Sequence, residues 1–202
     1  MTATPANRAK TPQLHKHSSV IGIENRLALM QRKIYNVLLY FARPYLLSQD
    51  THVLQVPTLE RALGRTSDNR RYLIDSIEAL NGLVVRYDVF ARDRDNAHVW
   101  TEAAPILSGT RVTPDGSLVV YSFPQLMVPH LADPSRYGTL PLEIQNNVRG
   151  QYTLALWEFY LDQIGGRRNE AEIHIRLEDL RRLLCLEDRY AAFKDLRKRV
   201  LD

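Results

Sequence analysis

The sequence has 202 residues, a formal net charge of +4, 45% apolar residues and a single cysteine. A chain of this length can form one large domain or two small ones, and one cysteine excludes an intramolecular disulfide framework. No apolar run reaches the roughly 18 residues that cross a bilayer, so we expect a soluble cytoplasmic protein, and the mild excess of Lys and Arg favours a polyanionic partner.

The N-terminal residues 1–20 are rich in Thr, Pro, Ala and Lys without hydrophobic periodicity. This composition predicts a flexible basic tail. His15 and His17 occur in it without a further cluster of ligands, so we expect no metal site there. From Asn25 to Pro44 the apolar residues recur at spacings of three and four, which predicts an amphipathic helix with Asn25 as its N-cap.

Three more elements are predicted before the middle of the chain. Residues 53–56 favour a short strand, residues 57–63 a helix, and residues 69–80 a longer helix. Gly64 follows the first of these helices, at a position where a left-handed residue commonly ends a helix.

Strand patterns follow. Residues 83–90 alternate between apolar and polar side chains, as in a half-buried strand, and strand character continues at 99–101. The turn sequence Thr-Pro-Asp-Gly at 113–116 predicts that residues 106–123 form a β-hairpin. Helix, short strand, helix, turn, helix and antiparallel strands is the order of a winged-helix domain, which we assign to residues 21–135.

The second strand of this hairpin suggests a dimer interface. It carries Leu118, Val119, Val120 and Tyr121 in succession, and residues 117–130 contain no charged side chain. An uncharged apolar edge strand is a template for pairing with another chain, which predicts a homodimer joined through these four residues. The alternative is a central strand, paired on both sides, whose lack of charge reflects burial.

A second unit is predicted from residue 136 onwards, after a proline-rich stretch. Residues 152–164 favour a helix and residues 172–176 a short strand. Two short amphipathic helices, separated by a polar corner at 186–188, then form a helix-turn-helix pattern. The order of elements repeats that of the first unit and stops before any wing, so residues 136–202 are expected to be the front part of a second winged helix.

The last helix combines an apolar stripe with exposed cations. Lys194 and Lys198 lie together clear of the stripe, Arg199 lies farther round, and Arg197 lies closer to it. A helix in a DNA groove needs this arrangement, because one face is fixed to a core while the other offers positive charge. Taken alone, such a charge run is more often only a solvated surface.

Three segments together resemble the replication-initiator (Rep) proteins of iteron-containing plasmids. They are NRLALMQRKIYNVLLY at 25–40, YTLALWEFYL at 152–161, and LEDLRRLLCL with YAAFKDLRKRVLD at the C-terminal end, and they occur in that family's order. The resemblance implies an α+β protein of two tandem winged-helix domains that bind repeated origin DNA and recruit host replication proteins. It also implies that the first domain adds DNA contacts and forms the dimer interface of a repressor.

Carried over by position, the recognition helix of the second domain spans residues 189–202. The residues expected to contact DNA are Lys194, Lys198 and Arg199, followed by Arg197, Arg189, Arg70 and Arg71. Two departures from the family pattern stand out. Cys185 occupies a position where a helix-ending glycine is usual, and the sequence ends before the β-hairpin that follows the recognition helix in the family, so we expect the wing of the second copy to be missing.

Two other functions compete with this interpretation. A transcriptional regulator could have the same fold; direct repeats beside the gene would favour the initiator, and a single palindrome the regulator. An enzyme is disfavoured because the sequence has no phosphate-binding loop motif, and its remaining histidines, His52, His98, His130 and His174, occur singly. We therefore expect no catalytic site, no cofactor and no metal.

Overall fold

The computed structural model describes residues 12–17, 27–65, 69–90, 99–133, 137–164 and 172–201. Its helices are α1 (Leu29–Ala42), α2 (Val56–Ala62), α3 (Arg70–Glu78), α4 (Val128–Ala132), α5 (Leu142–Asn147), α6 (Gln151–Ile164), α7 (Leu177–Leu183) and α8 (Phe193–Leu196), the last continued by a π-helical turn over Arg197–Leu201. Its strands are β1 (Gln13–His17), β2 (His52–Gln55), β3 (Val84–Phe90), β4 (Val99–Pro105), β5 (Gly109–Val112), β6 (Leu118–Ser122) and β7 (Tyr137–Pro141).

Helix α1 is the central element of the first core. Its Ile34, Val37 and Leu38 are fully buried, as the spacing of apolar residues predicts. The predicted start at Asn25 is wrong, because the helix begins at Leu29 and the Gln31 side chain accepts a hydrogen bond from the backbone N–H of Ala28. Asn25 itself lies outside the described residues.

The next elements confirm the predicted order of a winged helix. Strand β2 is followed directly by α2, and Gly64 beyond its end has a φ of 62° in the left-handed region. Helix α3 then begins after Asn69, whose side chain accepts a hydrogen bond from the backbone N–H of Tyr72. An N-cap of this kind stabilises the first turn of the helix.

The hairpin is confirmed, but its second strand is not an edge. Strand β6 lies between β2 and β5 in a three-stranded antiparallel sheet. Val119 and Tyr121 face inward and are buried, whereas Leu118 and Val120 face outward and are partly buried. The prediction that these four residues pair with another chain through a free strand edge is therefore wrong, because both edges of β6 are already hydrogen-bonded.

The prediction of a flexible tail through residue 20 is wrong for the part that the structure describes. Strand β1 pairs antiparallel with β7, from Gln13 opposite Pro141 to His17 opposite Tyr137. Leu14 is fully buried in the first core, so this strand is tied down by packing as well as by backbone hydrogen bonds. The first unit thus includes elements on both sides of the predicted domain boundary at 135/136.

Two smaller predictions also need correction. Residues 106–108 form a bend before β5 and not its first part, and Ile106 and Leu107 are buried there. Residues 172–176 have no regular secondary structure, so the predicted short strand of the second unit is absent from this stretch. The β3–β4 pair, by contrast, is longer than predicted and runs from Val84 opposite Pro105 to Phe90 opposite Val99.

Buried apolar residues form two clusters, which share helix α6. The first cluster gathers residues of α1 to α5 and the sheet strands, and Trp157 and Leu161 of α6 pack against it. The second cluster contains Ala155 of α6 together with Leu180 and Leu196 of the C-terminal helices. None of the helices that the structure describes combines the length and hydrophobicity that a bilayer crossing needs.

Candidate nucleic-acid interface

The C-terminal unit contains the predicted helix-turn-helix. Leu180, Leu183 and Leu184 bury the apolar side of α7. The chain then leaves the helix at Cys185, whose φ of 52° lies in the left-handed region. Gly64 has the same place after α2, with a φ of 62°, so the two units share this turn although only one of them has a glycine there.

This shared turn gives a matched pair of predictions about stability. Replacing Cys185 by glycine should stabilise the second unit by about 0.5–1 kcal/mol, because a non-glycine residue is strained at positive φ. Replacing Gly64 by alanine should destabilise the first unit by about 1 kcal/mol or more, since the added Cβ would also lie 3.3 Å from Nδ2 of Asn146. Urea unfolding measures both changes, and a less stable Cys185→Gly variant would contradict the assignment.

The turn before the last helix is held by a single arginine side chain, that of Arg181. The Arg181 guanidinium donates hydrogen bonds to the carbonyl oxygens of Arg189 at 2.8 Å, Tyr190 at 2.6 Å and Ala191 at 2.9 Å, with a longer contact of 3.5 Å to Leu186. A planar group with five N–H donors suits such a set of carbonyls. The sequence carries no signal of it, because every residue has a carbonyl.

The last helix is shorter than predicted. Tyr190 has a φ of 53°, which no right-handed helix tolerates, so α8 begins only at Phe193. Leu196 is fully buried and Val200 packs beside it, and these two residues fix the helix to the second cluster. The apolar spacing of the sequence places Phe193 and Leu201 on the same stripe, but this prediction is wrong at both positions, because Phe193 is 53% exposed and Leu201 41%.

Cations are concentrated on the exposed side of α8 and its π-helical turn. The exposed charged residues of this segment are Lys194, Asp195, Arg197, Lys198 and Arg199. Four of the five are cations, so the exposed surface of this segment is strongly positive, as a DNA-contacting face requires. Arg189 lies outside the helix, in the turn that precedes it, and is also exposed.

The candidate cations of the first unit are neutralised by neighbouring acids. Arg70 and Arg71 are exposed at the start of α3, as predicted. The Arg71 guanidinium lies 3.0 Å from the carboxylate of Asp75, and that of Arg70 lies 3.8 Å from Glu60. The structure therefore separates the predicted contact residues into a strongly cationic group on α8 and a charge-balanced pair on α3.

A buried polar group joins α6 to the first unit, and we call it the Glu158 cluster. Its members are Lys16 of β1, Arg32 and Asn36 of α1, Gln145 of α5 and Glu158 of α6. Glu158 is fully buried, although it lies one helical turn from the buried Leu154. In the sequence, this cluster is indicated only by the position of Glu158, an acidic residue among the apolar residues of α6.

Hydrogen bonds satisfy the Glu158 carboxylate from three sides. Lys16 Nζ lies 2.7 Å and Arg32 Nη1 3.0 Å from its Oε2, and Asn36 Nδ2 donates to its Oε1 at 2.6 Å. Asn36 Nδ2 also donates to Gln145 Oε1 at 2.7 Å. Burial raises the pKa of the Glu158 carboxyl, but Lys16 and Arg32 outweigh that effect and hold its pKa below the ordinary value.

The described residues offer no arrangement for metal chemistry. Within them, no group of three or more His, Cys, Asp or Glu side chains is placed to hold a metal ion. The described histidines outside the N-terminal strand do not converge: His52 is buried against the rings of Tyr121 and Phe123, and His174 is exposed. His98 lies outside the described residues.

Two protein-family models match the chain. The model of the initiator replication protein WH1 domain matches residues 13–161, and the model of the initiator Rep protein WH2 domain matches residues 176–202. The break between them falls after most of α6, which agrees with the packing of this helix on the first cluster. No curated protein sequence matches the chain.

Solved structures are also similar to the chain. The chain is similar to the Pi initiator protein, crystallised in complex with iteron DNA, over 96% of this chain and 84% of that chain, with 13% identity and a TM-score of 0.66. Domains 2 and 3 of RctB match over 98% of this chain and 79% of theirs, with 14% identity and a TM-score of 0.49. The WH1 domain of MSBI1.176, a replication protein isolated from a multiple sclerosis patient, matches over 61% of this chain and 88% of its own, with 18% identity and a TM-score of 0.39.

The predicted α+β winged-helix fold, complete in the first unit and partial in the second, is thereby confirmed. The two matched models leave residues 162–175 between them, and the described helix-turn-helix lies within the second model. Because the WH1 model covers more than half of its residues, the chain belongs to the family of initiator replication (Rep) proteins.

Proposed function

We propose that this chain initiates plasmid replication by binding directly repeated origin DNA, or iterons, and that it acts in the cytoplasm without enzymatic activity. The observation that carries the proposal is the exposed cationic surface of α8 and its π-helical turn, which the buried Leu196 fixes to the core of a helix-turn-helix in a Rep-family chain. The similar Pi initiator protein was crystallised with iteron DNA, which supports the same class of ligand here.

In this proposal α8 enters the major groove. Lys194, Lys198 and Arg199 anchor the helix on phosphates or reach base edges, and Arg197 and Arg189 add positive charge around it. The first unit adds weaker contacts through Arg70 and Arg71. The bound protein then recruits host replication proteins to the origin, as the family resemblance implies.

A gel-shift experiment with the DNA beside the coding frame tests this function. We expect the protein to bind a duplex carrying direct repeats and to bind a scrambled duplex of the same composition far more weakly. A preference for a single palindrome would favour a transcriptional regulator without a replication role. Absence of any preference for the repeats would contradict the initiator function.

We further propose a homodimer that forms through the outer face of the three-stranded sheet, since β6 has no free edge. Val53 of β2 is 62% exposed and lies opposite Val120 of β6. Leu118 lies on the same outer face and is also only partly buried. A second copy that covered these side chains would remove apolar surface from water, which favours association.

Adjacent residues of β6 provide a matched test of this interface. We expect Val120→Lys to give a folded monomer at concentrations where the parent is a dimer, because residue 120 faces outward. Val119→Lys should instead unfold the first unit, because it places a charge in a fully buried position at a cost of several kcal/mol. Light scattering and circular dichroism distinguish the two results. A parent protein that stays monomeric at every concentration would contradict the dimer.

A further inference from the structure

Helix α6 is the element through which the two DNA-contacting units meet. One side of it, with Trp157, Glu158 and Leu161, faces the first unit. The opposite side places Ala155 in the second cluster, where Leu196 of α8 is fully buried. The position of α8 relative to the first unit therefore depends on how α6 is positioned and oriented on that unit.

Apolar packing alone does not closely determine the position and orientation of α6 on the first unit. Hydrophobic contacts are non-directional, so a helix can rotate or slide while it keeps most of its buried area. A pocket of about 220 Å³ that is open to solvent also lies at the junction, between α1, α6 and the end of α7. Its lining includes Arg32, Tyr152, Leu183 and Cys185, which come from all three helices.

The Glu158 cluster supplies directional contacts at this place. Its carboxylate accepts hydrogen bonds from Lys16 of β1 and from Arg32 and Asn36 of α1, all at 3.0 Å or less. Each of these hydrogen bonds is lost if α6 rotates, or shifts by more than a fraction of a hydrogen-bond length, since hydrogen bonds weaken steeply with distance and angle. The charges are buried, so water cannot replace the lost partners.

We propose that the Glu158 cluster is a positioning device, which fixes α6 on the first unit and so sets the distance and angle at which the two helix-turn-helix units meet DNA. This inference rests on the proposed function and deepens it. Lys16, Arg32 and Glu158 are positioning residues in this account, because they do not belong to the cationic face that contacts DNA. The consequence is a protein that tolerates little change in the spacing between the two DNA segments it binds.

The test separates positioning from stability. In the triple variant Lys16→Met, Arg32→Met, Glu158→Leu, apolar side chains of similar size replace the three charges, an exchange that often leaves stability unchanged. Spin labels on Glu78→Cys and Glu187→Cys, both at exposed sites, report the distance between the units when Cys185→Gly removes the native thiol. We expect a narrow distance distribution with the parent cluster and a broader one with the triple variant, at equal melting temperature.

DNA binding gives a second readout. The repeat duplex is compared with duplexes that carry one to three additional base pairs between the segments contacted by the two units. The parent should lose affinity steeply with each insertion, whereas the triple variant should bind the parent spacing about tenfold more weakly and depend little on insertions, because linked modules bind tightly only when their link matches the span.

Unchanged label distances and an unchanged spacing preference in the triple variant would overturn the proposal. If the triple variant fails to fold, the single variant Lys16→Met replaces it, since it keeps the contacts of Glu158 with Arg32 and Asn36. We expect this variant to broaden the distance distribution to an intermediate extent. A distance distribution equal to that of the parent would also overturn the proposal. The label distances are measured without DNA, so they remain decisive even if the protein bound no repeat.

Discussion

Replacing Lys194 and Lys198 together by glutamate should weaken binding to repeat DNA by roughly a hundredfold, since two charge-assisted contacts of about 1.5 kcal/mol each are lost. Both side chains are exposed on the side of α8 opposite Leu196, so the fold should not change. Fluorescence anisotropy with a labelled repeat duplex measures the affinity, and circular dichroism verifies the fold.

A matched control carries the same change of charge elsewhere. Arg111 on β5 and Arg149 before α6 are exposed and lie outside the helix-turn-helix of the second unit. The double variant Arg111→Glu, Arg149→Glu should therefore lose much less affinity than the lysine variant. An equal loss of affinity in both double variants would show that only the net charge matters. An unchanged affinity in the lysine variant would mean that the recognition helix is misassigned.

Removal of the buried carboxylate should have the largest effect on stability. Glu158→Ala leaves the cations of Lys16 and Arg32 buried without their shared partner, which costs about 3–5 kcal/mol. Glu187→Ala, at an exposed position, is the control and should change stability by less than about 0.5 kcal/mol. Urea unfolding measures both, and equal stability of the parent and Glu158→Ala would contradict the buried ion pairs.

The same carboxylate predicts how this difference depends on pH. The pKa of Glu158 is lower in the folded state than its ordinary value. Its stabilising contribution is therefore fully present above the unfolded pKa of about 4.3 and is lost as the pH falls through the folded pKa. We expect the difference in unfolding free energy between parent and Glu158→Ala to be constant near neutral pH and to shrink below about pH 4. A difference that grew on acidification would contradict the assignment.

Local sequence patterns were sufficient to predict the helices and strands that bury one regular face. Helix α1 and the hairpin of β5 and β6 could be predicted because apolar spacing and the turn chemistry at 113–116 depend only on nearby residues. Cys185 was recognised as a residue in a glycine-type position, and its positive φ confirms it. The family resemblance added the expectation that two winged-helix units occur in tandem in the chain.

Features that depend on distant residues could not be predicted in this way. Strand β1 looked like a tail because its partner β7 lies more than a hundred residues away, and β6 looked like an edge because its pairing with β2 leaves no local signal. The start of α8 was misplaced because Arg181 holds the preceding turn through backbone carbonyls. The neutralisation of Arg70 by Glu60 likewise appears only when α2 and α3 are placed side by side.

The salt dependence of binding tests most directly whether the last helix anchors the protein on DNA phosphates. Affinity for the repeat duplex is measured over a range of salt concentrations for the parent and for Lys194→Ala, Lys198→Ala. Each phosphate contact contributes about 0.9 to the slope of log affinity against log salt. We expect a steep slope for the parent and a slope smaller by about 1.8 for the variant. Identical slopes and affinities for the two proteins would contradict the assignment of the last helix as a phosphate anchor.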